Sequence, residues 1–581
     1  RSFASAWYDA QKKLGRFVAE EVKSKAENLA EAALGPDLRE LSDNPMMLTT
    51  MALIHQKEIG LPRERVQLYK QAVDVLLRRW QKRKTGDVGP SDEMRAFLKD
   101  DLRLRATMER LAYEAHRIGE GDKNAADLER GDALTLLENR DYLGSAALAA
   151  EFLDYVDQRA GLLVGRGGEP NRPAVYSFPH RTFQEYLAGC YLAGQRDVAR
   201  ELFARAGEGD YWQLAVRLGA EELLYNRRNF NELLNTAYLL LKGEDSTRAR
   251  RATLWAGEIA ALVGHEMIER DDAPYLDRLR PRLVSLLGSA LSAIERADAG
   301  NALGQLGDPR FRTNAWHLPD EPLLGFVEIP EGPFIMGSDP KRDEYAQPEE
   351  QPQHELTLPP YFIARYPVTV AQFKAFVGAS GYKPQHEESL LGLPNHPVVN
   401  VTWREACAYC DWLTETLKRW PGTPEPLAGL LRGGKWRIAL PSEAEWEKAA
   451  RGNSKWIYPW GDKFDPNKAN THETGINATS AVGCFAKQGG ASPYDVLDLS
   501  GNVWEWTRSL WGKGFQKPDF KYPYNSKDGR EAIDAPGSVL RVLRGGSFPR
   551  SGRLARCACR YWVNPNFWNR YGGFRVAASP F

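Results

Sequence analysis

Thiols and imidazoles are the side chains best able to do chemistry in this chain, and their spacing limits what that chemistry can be. Cys557 and Cys559 stand as C-x-C in GGSFPRSGRLARCACR, and Cys407 and Cys410 as C-x-x-C in VTWREACAYCDWL. Thiolates hold soft ions such as copper(I), and two such pairs close together would hold zinc. Each pair, however, stands alone. Cys557 and Cys559 alternate onto one face of a strand, and Cys407 and Cys410 lie in an amphipathic helical pattern, where small sulfur side chains fill core space. Cys190 and Cys484 are isolated, and no two of the nine histidines stand at metal-ligand spacing. His180, in YSFPHRTF, sits between an apolar run and an arginine, a position open to a ligand or general base. Nucleotide chemistry would need G-x-x-x-x-G-K-[ST], so that backbone amides and a lysine can cradle phosphates. Lys435 and Lys513 follow glycines, but neither precedes Ser or Thr.

A different chemistry is written at the end of the chain. RCACRYWVNPNFWNRYGGFRVAASPF sets Tyr561, Trp562, Phe567, Trp568 and Tyr571 among asparagines and arginines, with no helical or strand period to bury the rings on one face. Lys, Glu, Gln and Met are all absent from Ser547 to Phe574. Tyr and Trp offer large amphipathic area at low rotamer cost, and Arg and Asn supply hydrogen bonds, which is the chemistry of a binding surface. The competing reading puts Trp562 and Trp568 in the core, where aromatic residues usually pack.

More than one folded body must position these residues, since 581 residues are too many for a single core. Lys and Arg number 77, as do Asp and Glu, so no overall field draws the chain to nucleic acid or an anionic membrane. No apolar run reaches the roughly 18–20 residues that span a bilayer. Six cysteines are too few for a disulfide scaffold, which predicts a reducing, cytoplasmic setting. The chain opens at Arg1 within helical sequence, which predicts a longer parent protein. Up to about Pro319 the pattern is helical. In LPRERVQLYKQAVDVLLRRW, Pro62 suits a first turn, and Val66, Tyr69, Val73, Leu76 and Trp80 recur at three- and four-residue steps. From about Phe326 glycine, proline and tryptophan become dense. IPEGPFIMGS and LTLPPYFIARYPVT read as short strands, and HLPDEPLLG as a linker. Two helices open on capping boxes, Thr402 with Glu405 and Ser442 with Glu445. The expected fold class is multidomain, an all-α part followed by an α+β domain.

LRELSDNPMMLTTMALIHQKEIGLPRERVQLYKQAVDVLLRRW resembles the helical region that follows the nucleotide-binding core of NACHT-type STAND ATPases. YSFPHRTFQEYLAG resembles the winged-helix end of the same module, and ERADAGNALGQLGDPR a HEAT-type repeat unit. The resemblance implies a helical region over 1–85, a winged-helix-like region over 86–195 and helical repeats over 196–318. It also implies that His180 packs the winged helix. ATP binding, ATPase activity and oligomerisation through the STAND module would belong to the full-length protein, upstream of Arg1.

FVEIPEGPFIMGS, YPVTVAQF, HPVVNVTWREACAYCDWL, WRIALPSEAEWEKAAR, YPWGD, LDLSGNVWEWT and LRGGSF follow one another in order. Together they resemble the formylglycine-generating enzyme (sulfatase-modifying factor) domain, a variant of the C-type lectin fold, over 319–581. Those oxidases bind copper(I) through two cysteines just after the GGS-aromatic segment. Here Pro549 and Arg550 follow Phe548 and no cysteine comes before Cys557, so no catalytic residues and no copper are expected. H-x-x-x-H-x-E is also absent, which argues against the iron-dependent sulfoxide synthases that share this fold. The resemblance does imply a calcium site in LDLSGNVWEW, built from Asp498, Glu505 and the backbone oxygens of Gly501 and Val503. The alternative is a turn whose buried Glu505 is simply hydrogen-bonded.

Variable proteins of diversity-generating retroelements share the fold as well. Their last segment runs V-L-R-G-G-S-W, then asparagine-type codons interrupted by fixed Arg, Ala and Pro, then G-F-R-V. VLRGGSF, Arg556, Ala558, Arg560, Pro565 and GGFRV fall on that frame without a gap, which sets a variable region over about 541–576. The positions the resemblance implies to be diversified are Arg550, Ser551, Leu554, Tyr561, Trp562, Val563, Asn564, Phe567, Trp568, Asn569, Arg570 and Tyr571, with Pro549 and Cys559 as further candidates. Adenine changes in an AAC codon reach Arg, Ser, Pro, Leu, Cys, Tyr, Val, Phe and Asn, but not the four absent residue types; adenine changes in AGG reach Trp. The implied function is a non-enzymatic receptor of bacterial defence or signalling, coupled to a nucleotide switch. Its partner is expected to be a protein of unknown identity, with no nucleic acid and no membrane. The alternatives are a formylglycine-generating copper oxidase and a scaffold that docks a constant partner.

Overall fold

The apolar steps from Val66 to Leu76 form one buried face of the helix Arg65–Arg78, which starts at Arg65 rather than at Pro62. The computed structural model describes all residues except 36–37, 43–44, 58–59, 79–89, 120–126, 160–161, 170–171, 179 and 581, so Trp80 lies outside the described residues. The chain divides into two units, Arg1–Val263 and Gly264–Phe581. In the first, Asp101–Ile118 packs against Arg181–Leu192, which also crosses Gln213–Glu221. Glycines let those last two backbones meet, because a Cβ on Gly189 would lie 2.3 Å from the Ala215 carbonyl oxygen. Val175–Ser177 pairs antiparallel with Leu128–Glu129 on one side and Val164–Arg166 on the other, a small wing beside the helices. His180 leads directly into Arg181–Leu192, whose Phe183 and Tyr186 pack on Tyr69 at 5.7 and 5.4 Å between ring centroids. Among the described residues no helix is long and apolar enough to cross a membrane.

The second unit opens with helices α1 (His265–Leu286) and α2 (Ala293–Leu306), the latter started by a Ser292–Glu295 capping box. These helices, expected among the repeats, share a unit with the sheets that follow. Burial on nearly every side of α2 explains why its sequence carries no amphipathic period. Asn395 donates to the Gly300 carbonyl at 3.0 Å, and Arg296 to the Asn467 carbonyl at 3.1 Å. The buried His396 ring joins Asn301 Oδ1 and Thr479 Oγ1, both at 3.0 Å. HLPDEPLLG is not a free linker: Leu318 and Leu324 are core residues, and Phe311–Arg312 pairs with Leu318–Pro319.

Two four-stranded sheets follow. The first has the order β5 (Trp436–Ala439), β10 (Ala577–Pro580), β4 (Tyr361–Ala364), β1 (Phe326–Ile329), so the end of the chain is an internal strand. The second has the order β8 (Tyr561–Val563), β7 (Leu540–Arg544), β6 (Trp504–Gly512), β9 (Gly572–Gly573). Strands β2 (Gly332–Met336) and β3 (His354–Leu358) make a hairpin. Helix α3 (Val370–Ser380) carries a Thr369–Gln372 capping box that the sequence reading did not single out. Helices α4 (Trp403–Arg419) and α5 (Glu443–Arg451) start at the two boxes it did, and both are closed reciprocally.

Candidate functional site

The last segment crosses the second sheet from one side to the other. It runs out of β7, folds back to pair with it as the edge strand β8, with Val542 opposite Trp562, and then loops over to the opposite edge as β9 beside β6. An edge strand and a crossing loop leave side chains outside the core, while the ends remain fixed by sheet pairing.

Buried charges pin the folded-back stretch. Arg556 reaches Asp343 Oδ2 at 2.6 Å and the two oxygens of Glu350 at 2.7 and 2.8 Å. Arg560 makes a forked pair with Glu443 at 2.8 and 2.9 Å, beneath the rings of Trp511 and Tyr522. Forked guanidinium–carboxylate pairs fix orientation as well as position. Further pins use only the main chain: Trp403 N donates to Pro565 O, Asn400 N to Asn569 O, His472 N to Arg550 O and Trp504 N to Tyr571 O, at 2.8–3.1 Å. Such bonds hold whatever side chain stands at the accepting position.

Burial divides the segment accordingly. Arg556, Ala558, Arg560, Pro565 and Gly572 to Arg575 are buried. Arg550, Phe567, Trp568 and Arg570 are exposed, and Ser551, Leu554, Tyr561, Trp562, Val563, Asn564, Asn569 and Tyr571 are half-buried, as is Pro549. Cys559 departs from the expectation, being 3% exposed and therefore part of the core. The rings rest on other rings: Trp562 stacks on Trp511 at 3.8 Å, Tyr561 on Trp504 at 5.0 Å, and Trp568 on His386 at 3.8 Å. His386 and Glu473, which accepts from the Ser551 hydroxyl at 2.7 Å, border the surface and had no signal in the sequence, because they arrive from remote loops.

The thiols are not poised for chemistry. Burial pushes the pKa values of Cys557 and Cys559 up to about 12, so they are neutral thiols at physiological pH. Burial likewise raises Cys407 to about 12 and Cys410 well above its ordinary value. The expected calcium ligands are close together, and the carboxylate among them already has a cationic partner. Both oxygens of the buried Glu505 are taken by Arg575, at 2.6 Å each, and Trp446 Nε1 donates to one of them at 2.7 Å. The Arg575 guanidinium also donates to the carbonyls of Ala364, Arg365 and Leu497, at 2.8–3.1 Å. Arg575 thus ties the two ends of LDLSGNVWEW together, through the Leu497 carbonyl and the Glu505 carboxylate. Asp498 accepts instead from Gly483 N at 2.7 Å, and its pKa rises to about 6, chiefly through burial. Gly501 and Val503 lie in the same buried turn. Among the described residues no group of three or more His, Cys, Asp or Glu could hold a metal ion.

Residues 315–580 match the family described as sulfatase-modifying factor enzyme 1-like domain, and residues 65–192 match the winged helix-turn-helix domain C-terminal to NACHT. The chain is 29% identical over 323 residues to a formylglycine-generating enzyme of Thermomonospora curvata, covering 45% of this chain and 96% of that protein. It is 31% identical over 317 residues to the inactive C-alpha-formylglycine-generating enzyme 2 of Bos taurus, covering 44% and 88%. Among solved structures, Treponema denticola variable protein 1 is 23% identical with a TM-score of 0.32, covering 44% of this chain and 95% of the other.

Proposed function

Because the chain belongs, over residues 315–580, to the sulfatase-modifying factor enzyme 1-like domain family, we propose that this domain serves here as a ligand-binding receptor with a diversified surface, attached to the helical end of a STAND-type nucleotide switch. The division of the last segment carries the reading. Its frame residues are buried, and none of the twelve positions between them is. A site that changes from one version to the next must be decoupled from folding. Side chains that are exposed or only rest against the core, on a backbone pinned by buried arginines and main-chain bonds, come near that requirement.

The relatives include proteins named as formylglycine-generating enzymes and one named as inactive, so the residues must separate the two. No cysteine stands between Phe548 and Cys557, and the thiols beyond are neutral and buried. Copper(I) would find no exposed thiolate pair there. Purified protein supplied with copper(I) is expected to leave a cysteine-containing sulfatase peptide unconverted; turnover above an enzyme-free control would return the domain to the oxidases.

A protein ligand held at this surface would shift the switch only by binding one of its states more tightly than the other. The experiment that tests diversification is to sequence the DNA around the coding region. A near-copy of the final coding segment should lie beside a reverse transcriptase gene, differing from it at adenines. A flanking region without such a copy overturns the reading.

A further inference from the structure

Resting on the reading of the last segment as a binding surface, we propose that this version of it takes an acidic protein segment, one that carries carboxylates beside an apolar side chain. Arg550, Arg553 and Arg570 are exposed, and among the described residues none of them is ion-paired. Arg556 and Arg560 of the same segment are instead spent on buried acids. No acid occurs from Ser547 to Phe574 to offset the three free guanidiniums. Two of them lie against rings, Arg550 over Tyr571 at 5.5 Å and Arg570 over Phe548 at 5.9 Å. A guanidinium laid on a ring is already ordered, so it loses less freedom when its forked N–H edge meets a carboxylate.

The apolar part of the ligand has its own place. Phe567 and Trp568 are 44% and 39% exposed and stand three and two residues before Arg570 in the loop. Beyond Trp568 stands His386, followed in the chain by the exposed Glu387 and Glu388. On the arginine side stands one acid, Glu473, bonded to the Ser551 hydroxyl and the Gly552 N–H, so three guanidiniums outnumber a single carboxylate there. The surface is thus basic on balance at Arg550, Arg553 and Arg570 and aromatic at Phe567 and Trp568, and in the bordering loop Glu387 and Glu388 outnumber Lys383. A nucleic-acid strand, negative at every unit, would be repelled at the Glu387 end. A peptide with carboxylates clustered on one side of an apolar residue matches all three parts.

A random peptide library displayed on phage, selected on residues 1–581 at physiological salt, tests this. Selected peptides should be enriched in Asp and Glu beside an aromatic or aliphatic residue. The double substitution Arg550→Ala with Arg570→Ala should weaken a selected synthetic peptide roughly tenfold or more and flatten its salt dependence, with an unchanged melting temperature showing the fold intact. Trp568→Ala should weaken the same peptide. Peptides that need Trp568 but carry no acids and ignore the arginine substitutions would overturn the acidic-ligand inference alone and leave the binding surface standing. Selected peptides that ignore Phe567, Trp568 and both arginines would overturn the surface reading itself. An oligothymidylate that competes with the selected peptide at equal affinity would make the ligand a phosphate strand, and the inference would be wrong.

Discussion

Trp504, Trp506 and Trp562 stand on strands of one sheet but face different fates on truncation. Trp504 and Trp506 are each 2% exposed, and Trp506 donates to the Val401 carbonyl at 3.1 Å. Replacing either with alanine should cost roughly 3–5 kcal/mol, read from urea unfolding of residues 1–581. Trp562 and Tyr561 are half-buried and stacked, so alanine there should cost less than at Trp504 but at least the roughly 0.5–1.5 kcal/mol that an aromatic pair adds to the area it buries. Phe567→Ala and Trp568→Ala, at exposed positions, should change stability by no more than about 0.5 kcal/mol. Costs at Phe567 and Trp568 equal to that at Trp504 would make the cluster core. Glu505 supplies a second comparison. Glu505→Gln leaves Arg575 buried without its counter-charge and should destabilise by about 3–5 kcal/mol. A chelator should leave the melting temperature of the unsubstituted protein unchanged. A clear drop on chelation would restore calcium at Asp498 and Glu505.

At the scale of elements, α2 is the piece whose role in the sequence is least visible. Its ERADAGNALGQL resembles a repeat unit, yet its polar side chains and carbonyls are committed to loops of the sheet-containing body. His396 makes the docking sensitive to acid. Burial lowers its pKa from 6.5 to about 4, so the unfolded chain takes up the proton more readily across that interval. Its contribution to stability is whole above about pH 6.5 and declines as the pH falls toward 4, by at most about 1.4 kcal/mol per pH unit. Urea midpoints measured across that range should fall more steeply for the unsubstituted protein than for His396→Gln. Parallel slopes would mean that the imidazole titrates freely. The capped helices α4 and α5 were legible because a capping box is a local pattern of a few residues. Helix α3 has the same box, but VAQFKAFVGAS is apolar on several faces, so no period marked it.

For the whole molecule, the division at Val263 and Gly264 places α1 and α2 with the sheets. Residues 264–581 produced alone should therefore melt cooperatively, and residues 315–581, which lack the bonds from Arg296, Gly300 and Asn301, should melt at a lower temperature. Equal melting of the two would make the helix pair an attachment rather than part of the body. Since no phosphate-cradling loop occurs in the sequence, calorimetry on residues 1–581 should show no saturable ATP binding. Micromolar binding would reveal a site of another kind.

Short-range chemistry was readable from the residues in order. The capping boxes and the buried steps of Val66 to Leu76 each depend on neighbours a few positions apart, whereas the missing cysteines after Phe548 and the frame around the terminal rings were legible only through the resemblance to known families. Tertiary structure alone gave the buried Glu505 its counter-charge, because Arg575 comes from 70 residues away. It also decided which rings are exposed, because burial depends on what lies across the sheet: Trp511 lies under Trp562 and His386 against Trp568. Side-chain identity constrains what a residue is able to do, and partners brought together by the fold determine which of those options is left.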